Sequence, residues 1–284
     1  MPQCMLRRRG KLVLVCVMLA VAALPGCWQL DARAQAQQAC LALVPASHLP
    51  RTAEGAFAGD PRAFEALQRM LPAFTDEALY AKRDELRPLR DRIGADVQML
   101  LAHKDALIQV RQALREVDRA TAGLLEAAEK VTSEQLMAGA APTELVAGQQ
   151  LAMLSQRLGK SAVSFFGTSG LDPEAVFLLG KDDKSFQLIL TALMDGNSEF
   201  RLRAAKAGPV RDHLLKLQKA FDPVHQRLAQ TVGHLQQIVD ARKAQARLSS
   251  DGIALSNALS AECAGTPAAP VTPAVSASAA SAPR

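Results

Sequence analysis

Over residues 79–131, and again over 214–239, apolar side chains return every three or four positions, while the alternation of Val, Ile and Thr expected of strands is scarce. The first stripe runs through Leu79, Leu86, Leu89, Ile93, Val97, Leu100, Leu107, Val110, Leu114 and Val117. The second runs through Leu214, Leu217, Phe221, Leu228, Val232, Leu235, Ile238 and Val239. Between these positions the chain is rich in Ala, Gln and Arg, which keep helix formation cheap. Aromatic residues make up only 4% of the chain, so the core must be filled by Leu and Ala. A chain of 284 residues can bury such a core without metals or disulfides. The fold class predicted is all-α: an elongated antiparallel helical bundle in which long helices enclose shorter ones.

Helix signals divide the chain. Asp60-Pro61 opens a helix carrying Phe64, Leu67 and Leu71, and Thr75-Asp76-Glu77 opens the first long one, with Pro88 as a kink or a join. After a break at 139–142, Thr143 and Glu144 begin a helix that runs to Phe166 and stops at Gly167, Ser169 and Gly170. Asp172-Pro173-Glu174 caps a short helix through Leu179, and 182–194 forms another, closed by Gly196-Asn197. Pro209 opens the last long segment, reaching about Ala261, with Pro223 as a bend. Residues 27–59, interrupted by Pro45 and Pro50, read as a connector, 60–263 as the bundle, and 264–284, nearly all Ala, Pro, Ser, Thr and Val, as a disordered tail.

The net charge of +5 suggests a nucleic-acid binder until its position is noted. Arg7, Arg8, Arg9 and Lys11 precede the uncharged apolar run 12–24, so 1–26 has the form of an export signal or membrane anchor, and the rest of the chain is left at +1. The reading therefore excludes nucleic acid. Leu24-Pro25-Gly26-Cys27 is similar to a lipobox, which makes Cys27 a candidate lipidation site. Cleavage after Ala34 and an uncleaved anchor are the alternatives, and all three place the body on the periplasmic side of a bacterial membrane, anchored or released. Cys40 and Cys263 bracket the body and are a candidate disulfide in an oxidising compartment, the alternative being two free thiols. The scattered histidines offer no metal-site spacing, no cofactor motif is present, and no catalytic signature such as Gly-x-Ser-x-Gly or His-Glu-x-x-His occurs; a non-enzymatic protein is expected. Asp172 with Glu174, and Asp182 with Asp183, read as helix-start charges.

Residues 146–158, Val-Ala-Gly-Gln-Gln-Leu-Ala-Met-Leu-Ser-Gln-Arg-Leu, followed by Val176-Phe177-Leu178-Leu179-Gly180-Lys181-Asp182, Phe186, Leu190, Leu193 and Gly196-Asn197, resemble the N-terminal domain of type IV pilus methyl-accepting chemotaxis transducers, and distantly the nitrate/nitrite sensor kinases. The resemblance covers about 75–245. It implies a periplasmic helical sensor module, and a homodimer as a candidate state. Ala152 stands where the nitrate sensors carry an arginine, so nitrate sensing is not implied, and no cytoplasmic methyl-accepting domain follows in this sequence.

Within the motif, Gln149, Gln150, Ser155, Gln156 and Arg157 are the candidate ligand-binding residues, Arg157 because a guanidinium can receive an anion bidentately. The alternative is that these polar groups set helix register or face solvent. Gly148 reads as a site of close helix approach, and Lys160 and Lys181 as surface residues. Two functions are weighed first, ahead of a third, a hydrolase of unfamiliar site on a helical scaffold. One is a sensor-like module binding a small anion or peptide and reporting to a membrane-bound signalling or pilus partner. The other is a structural or interaction accessory of the pilus or envelope with no small ligand. A polar pocket converging on Ser155 and Arg157 would favour the first, an exposed apolar stripe the second.

Overall fold

A computed structural model describes residues 25–80, 83–167 and 170–264. Residues 1–24 and 265–284 and the side chain of Cys27 lie outside the described residues, and with them the export, lipidation and disorder expectations. The fold is all-α, a helical bundle, as the periodicity requires; its only strands among the described residues are the paired dipeptides β1 (Phe166–Gly167) and β2 (Gly170–Leu171). The helices are α1 (Pro25–Phe57), α2 (Pro61–Met70), α3 (Pro72–Thr75), α4 (Arg87–Ala102), α5 (Lys104–Met137), α6 (Pro142–Ser164), α7 (Pro173–Asp195), α8 (Pro209–Gly233) and α9 (Leu235–Ala264).

They form two bundles joined end to end. In the distal bundle α5, α6, α7 and α8 run alternately up and down, each packed on the next and α8 closing on α5. In the proximal bundle α1 and α4 pack against α9, with α2 and α3 filling the space beside α1 and α4. The long helices cross between the two, α4 into α5 through a break at His103 and α8 into α9 through one at His234. With 25 and 30 residues, α8 and α9 alone supply about 80 Å of helix at about 1.5 Å per residue.

At the waist, Phe57 and Phe165 each meet Phe166 edge to face, and Arg111 donates to the Ala58 carbonyl at 2.9 Å. The chain turns there at Gly59, with φ 75; a Cβ at this position would meet the Leu107 carbonyl oxygen at 2.6 Å.

The structure corrects several boundaries. Residues 27–59 are not a connector but the helix α1. Ala42, Ala46, Leu49, Ala53 and Ala56 recur at helical spacing and are completely buried, against the α9 stripe of Ala241, Ala244, Leu248, Leu255 and Leu259. Small residues let the two backbones approach closely; at Gly252 a Cβ would already touch Leu49 and Pro50 at 3.3 Å. Burial along this seam outweighs the hydrogen bonds lost at Pro45 and Pro50, which both lie inside the helix.

Pro88 occupies the first turn of α4, where a proline is tolerated, so it starts the helix rather than kinking it; short 3₁₀ turns at Glu77–Tyr80 and Asp84–Leu86 replace the expected earlier start. Pro223 lies inside α8, and the last long segment breaks at His234 instead. Thr231 continues the buried series Leu214, Leu217, Phe221, Val224 and Leu228 at steps of three and four, so Thr231 is buried and Val232 is exposed. Residues 173–195 form one helix, not two, with Asp182 and Asp183 in its middle.

Candidate functional site

The motif segment lies on α6, which opens with Pro142 in its first turn and the Glu144 carboxylate accepting the Ala141 N–H at 3.0 Å. Two glycines bring α6 against α5. A Cβ at Gly148 would meet Gln135 Oε1 at 2.5 Å and Thr132 Oγ1 at 2.7 Å, and one at Gly159 would meet Thr121 Oγ1 at 2.9 Å. Gly148 is thus a point of close helix approach.

The five candidate residues do not converge. Gln149 and Gln156 are exposed on α6. Ser155 is fully buried, and its hydroxyl donates at 2.9 Å to the Leu151 carbonyl one turn back, so its polarity is spent inside its own helix. Arg157 crosses to α7, where its Nη2 lies 2.9 Å from Asp182 Oδ1. Gln150 alone lines a cavity.

Two acidic residues that the sequence reading set aside turn out to be interior groups. Asp182 is 1% exposed and faces Arg157 of α6; Oδ2 of the same carboxylate has no hydrogen-bond partner. Its neighbour Asp183 is also buried but faces α8, where His225 Nδ1 lies 3.0 Å from both carboxylate oxygens. Below this pair Phe186 stacks on Phe221, ring centroids 4.2 Å apart. Burial pushes both carboxyls above the usual carboxylate range, and the groups beside them, Arg157 and Lys181 for Asp182 and His225 and Lys184 for Asp183, only partly offset it.

A signal for this burial exists in the sequence. Ala175, Leu179, Phe186, Leu190 and Leu193 trace the inward face of α7, and Asp182 and Asp183 fall within that face at the same spacing. Acids standing in an apolar stripe mark buried, paired carboxylates rather than a helix start.

The cavity that Gln150 lines is a cleft of about 530 Å³ on the outer face of the distal bundle. Val146 and Ala147 of α6, Leu188 and Ile189 of α7, and Phe200 and Leu202 of the following turn supply its apolar walls. Thr143, Gln150 and Ser185 supply hydroxyl and amide groups, and no charged side chain lines it. Val146, Leu188 and Phe200 remain substantially exposed there, at 52%, 50% and 43%. The turn holding Phe200 and Leu202 is fixed by paired backbone hydrogen bonds between Asn197 and Leu202, both 2.9 Å, and by the Asn197 side chain accepting the Phe200 N–H.

At the other end of the molecule Cys40 and Cys263 are joined as a disulfide, Cα atoms 5.6 Å apart, tying α1 to α9. Among the described residues no helix is long and apolar enough to cross a membrane, and no cluster of His, Cys, Asp or Glu is placed to hold a metal ion. No family model matches the chain, and no curated protein does.

Proposed function

We propose that this chain is an extracytoplasmic, non-catalytic, sensor-like ligand-binding module, similar to the N-terminal region of type IV pilus chemotaxis transducers, that takes a small, neutral, largely apolar ligand into the cleft between α6 and α7. The observation that carries the reading is the cleft itself. Its volume of about 530 Å³ falls within the ordinary range for small-molecule sites, and its walls are apolar with a few hydrogen-bonding groups. It lies between α6 and α7, the helices that carry the resemblance, and Val146, Ala147 and Gln150 of its wall belong to the 146–158 segment. The uncharged lining disfavours an anion there, in keeping with Ala152 at the position of the nitrate sensors' arginine. The leader sequence and the Cys40–Cys263 disulfide support an oxidising compartment outside the cytoplasm. Anchored near its N-terminus, the chain would hold the cleft away from the membrane at the far end of the rod and signal through a partner.

The alternative, an interaction accessory of the pilus or envelope, draws support from Met153 and Phe177. They are 47% and 66% exposed and stand two and three turns from Val146 and Leu188 on the same helix faces, extending the apolar surface beyond the cleft.

Titration with the neutral dye Nile red separates the two. Saturable binding of one dye per chain, abolished by the cleft-filling substitution Gln150→Trp with helix content unchanged, supports the ligand site. Absence of binding, or binding indifferent to Gln150→Trp, moves the assignment to the interaction surface.

A further inference from the structure

A second cavity, of about 330 Å³, opens at the extreme tip between the α5–α6 turn and the 196–208 turn that leads into α8. It shares the 196–208 turn with the cleft but has a different chemistry. Its wall includes Gly208 and then Pro209 and Val210, the first residues of α8, a helix of 25 residues. Gly208 is the N-cap and offers no side-chain hydrogen bond. The first helical bond runs from the Asp212 N–H to the Gly208 carbonyl, so the N–H groups of Val210 and Arg211 are left without helical acceptors. That helix end carries partial positive charge.

Two side chains add to it. Lys206 lines the cavity from the turn and makes no ion pair among the described residues. Gln135 lines it from α5 and is 98% buried; its Oε1 packs against Gly148 without a hydrogen-bond partner, and its Nε2 donates to no group among the described residues. The Nε2 is the end of this amide that can donate to an oxyanion; the Oε1, an acceptor, cannot. The one acid present, Glu144, is already engaged: Oε2 accepts the Ala141 N–H at 3.0 Å, and Oε1 accepts from Arg203 Nε at 3.2 Å. The wall is also held in place, because Arg211 Nη1 donates to the carbonyls of Met194 and Ala205 at 2.9 and 3.0 Å, and the Ala205 N–H donates to Leu193.

We propose that this tip cavity is a second binding site, for a small oxyanion, a carboxylate or a phosphate, received by the α8 N-terminus, Lys206 and the Gln135 amide. Donors converge from three elements, the net side-chain charge of the wall is positive once Glu144 is paired with Arg203, and the α8 end lacks the capping oxygen that an anion would replace. The site is distinct from the cleft and does not depend on what the cleft binds.

The test is an amide-shift titration of the full chain with inorganic phosphate and, separately, succinate, at ionic strength held constant with sodium chloride. Saturable shifts at Val210 and Arg211 are expected. Lys206→Glu, on an exposed turn, should weaken binding at least about tenfold by replacing an attractive charge with a repulsive one. Gln135→Met should weaken it less, and Gln150→Trp should leave it unchanged. A preference between phosphate and succinate identifies the oxyanion. Shifts that fail to saturate, or an affinity indifferent to Lys206→Glu, would overturn the proposal.

Discussion

Asp96 on α4 and Asp182 on α7 are both nearly buried carboxylates that meet an arginine from a neighbouring helix, yet they end differently. Asp96 is gripped by Arg247 of α9 through both oxygens, Nε to Oδ2 and Nη2 to Oδ1. Asp182 receives one Arg157 nitrogen on Oδ1 and nothing on Oδ2. The contrast extends to the two bundles. The proximal one is cross-tied along α9 by Arg83–Glu262, Arg92–Asp251 and the Cys40–Cys263 disulfide. The distal one carries two partly compensated acids and both the cleft and the tip cavity. One half is built to be held and the other to remain open. Sites that bind are drawn from regions where the last increments of stability have been given up.

The largest effect should come from cutting the strongest tie. Cys263→Ser removes a crosslink between residues separated by 223 positions and should cost about 2–5 kcal/mol in urea denaturation under non-reducing conditions. Amide exchange should rise first in α1 and the end of α9 while α6 and α7 stay protected. Equal loosening of both bundles would show that the two halves are one cooperative unit.

Next is Arg157→Ala, which strands Asp182. Breaking a buried pair from one side costs about 3–5 kcal/mol, but Arg157 is 39% exposed, so about 1–3 is expected. Adding Asp182→Asn to the same chain should recover part of that loss, because the stranded charge is what destabilises the single variant. An Arg157→Ala protein as stable as wild type would make the pair a surface contact and remove the contrast with Asp96. Gly148→Ala follows at about 1–3 kcal/mol, since the added methyl runs into Gln135 Oε1 and Thr132 Oγ1 and α6 must move off α5. A near-neutral result would show that Gln135 swings away at little cost.

The fold was legible where apolar spacing was regular. The stripes of α4, α5 and α8 yield helices and a Leu/Ala core directly, and the Gly and Pro signals at 139–142 and 208–209 mark real turns. The sequence misled where packing overrode local preference. Pro45 and Pro50 read as a connector, yet a buried alanine seam with α9 makes the segment helical. Of the five polar residues expected to bind ligand, Gln150 lines the cleft, together with the motif's apolar Val146 and Ala147. The cleft's other walls come from α7 and from Phe200 and Leu202, some fifty residues further on, and such a meeting of distant segments has no signature in either one. Asp182 and Asp183 were visible in principle as acids inside an apolar stripe, but a charged pair following Gly180 also fits the start of a helix.

The smallest and most diagnostic effect is on pH. Burial raises Asp182 and Asp183 in the folded chain above the ordinary value of about 3.9, against the opposing effect of Arg157, Lys181, Lys184 and the His225 ring on α6, α7 and α8. A carboxyl raised on folding contributes stability that is complete below its unfolded value and is lost as pH climbs through the folded value. The double variant Asp182→Asn with Asp183→Asn carries neutral amides at every pH and escapes that loss. Its melting temperature should therefore gain on wild type as pH rises from below about 4 toward neutrality. Asp96→Asn should instead lower the melting temperature, because it removes one of the two carboxylate oxygens that Arg247 holds. If the double variant only tracks wild type across that pH range, burying these two acids costs the distal bundle nothing, and it is not the half that pays for its openness with buried charge.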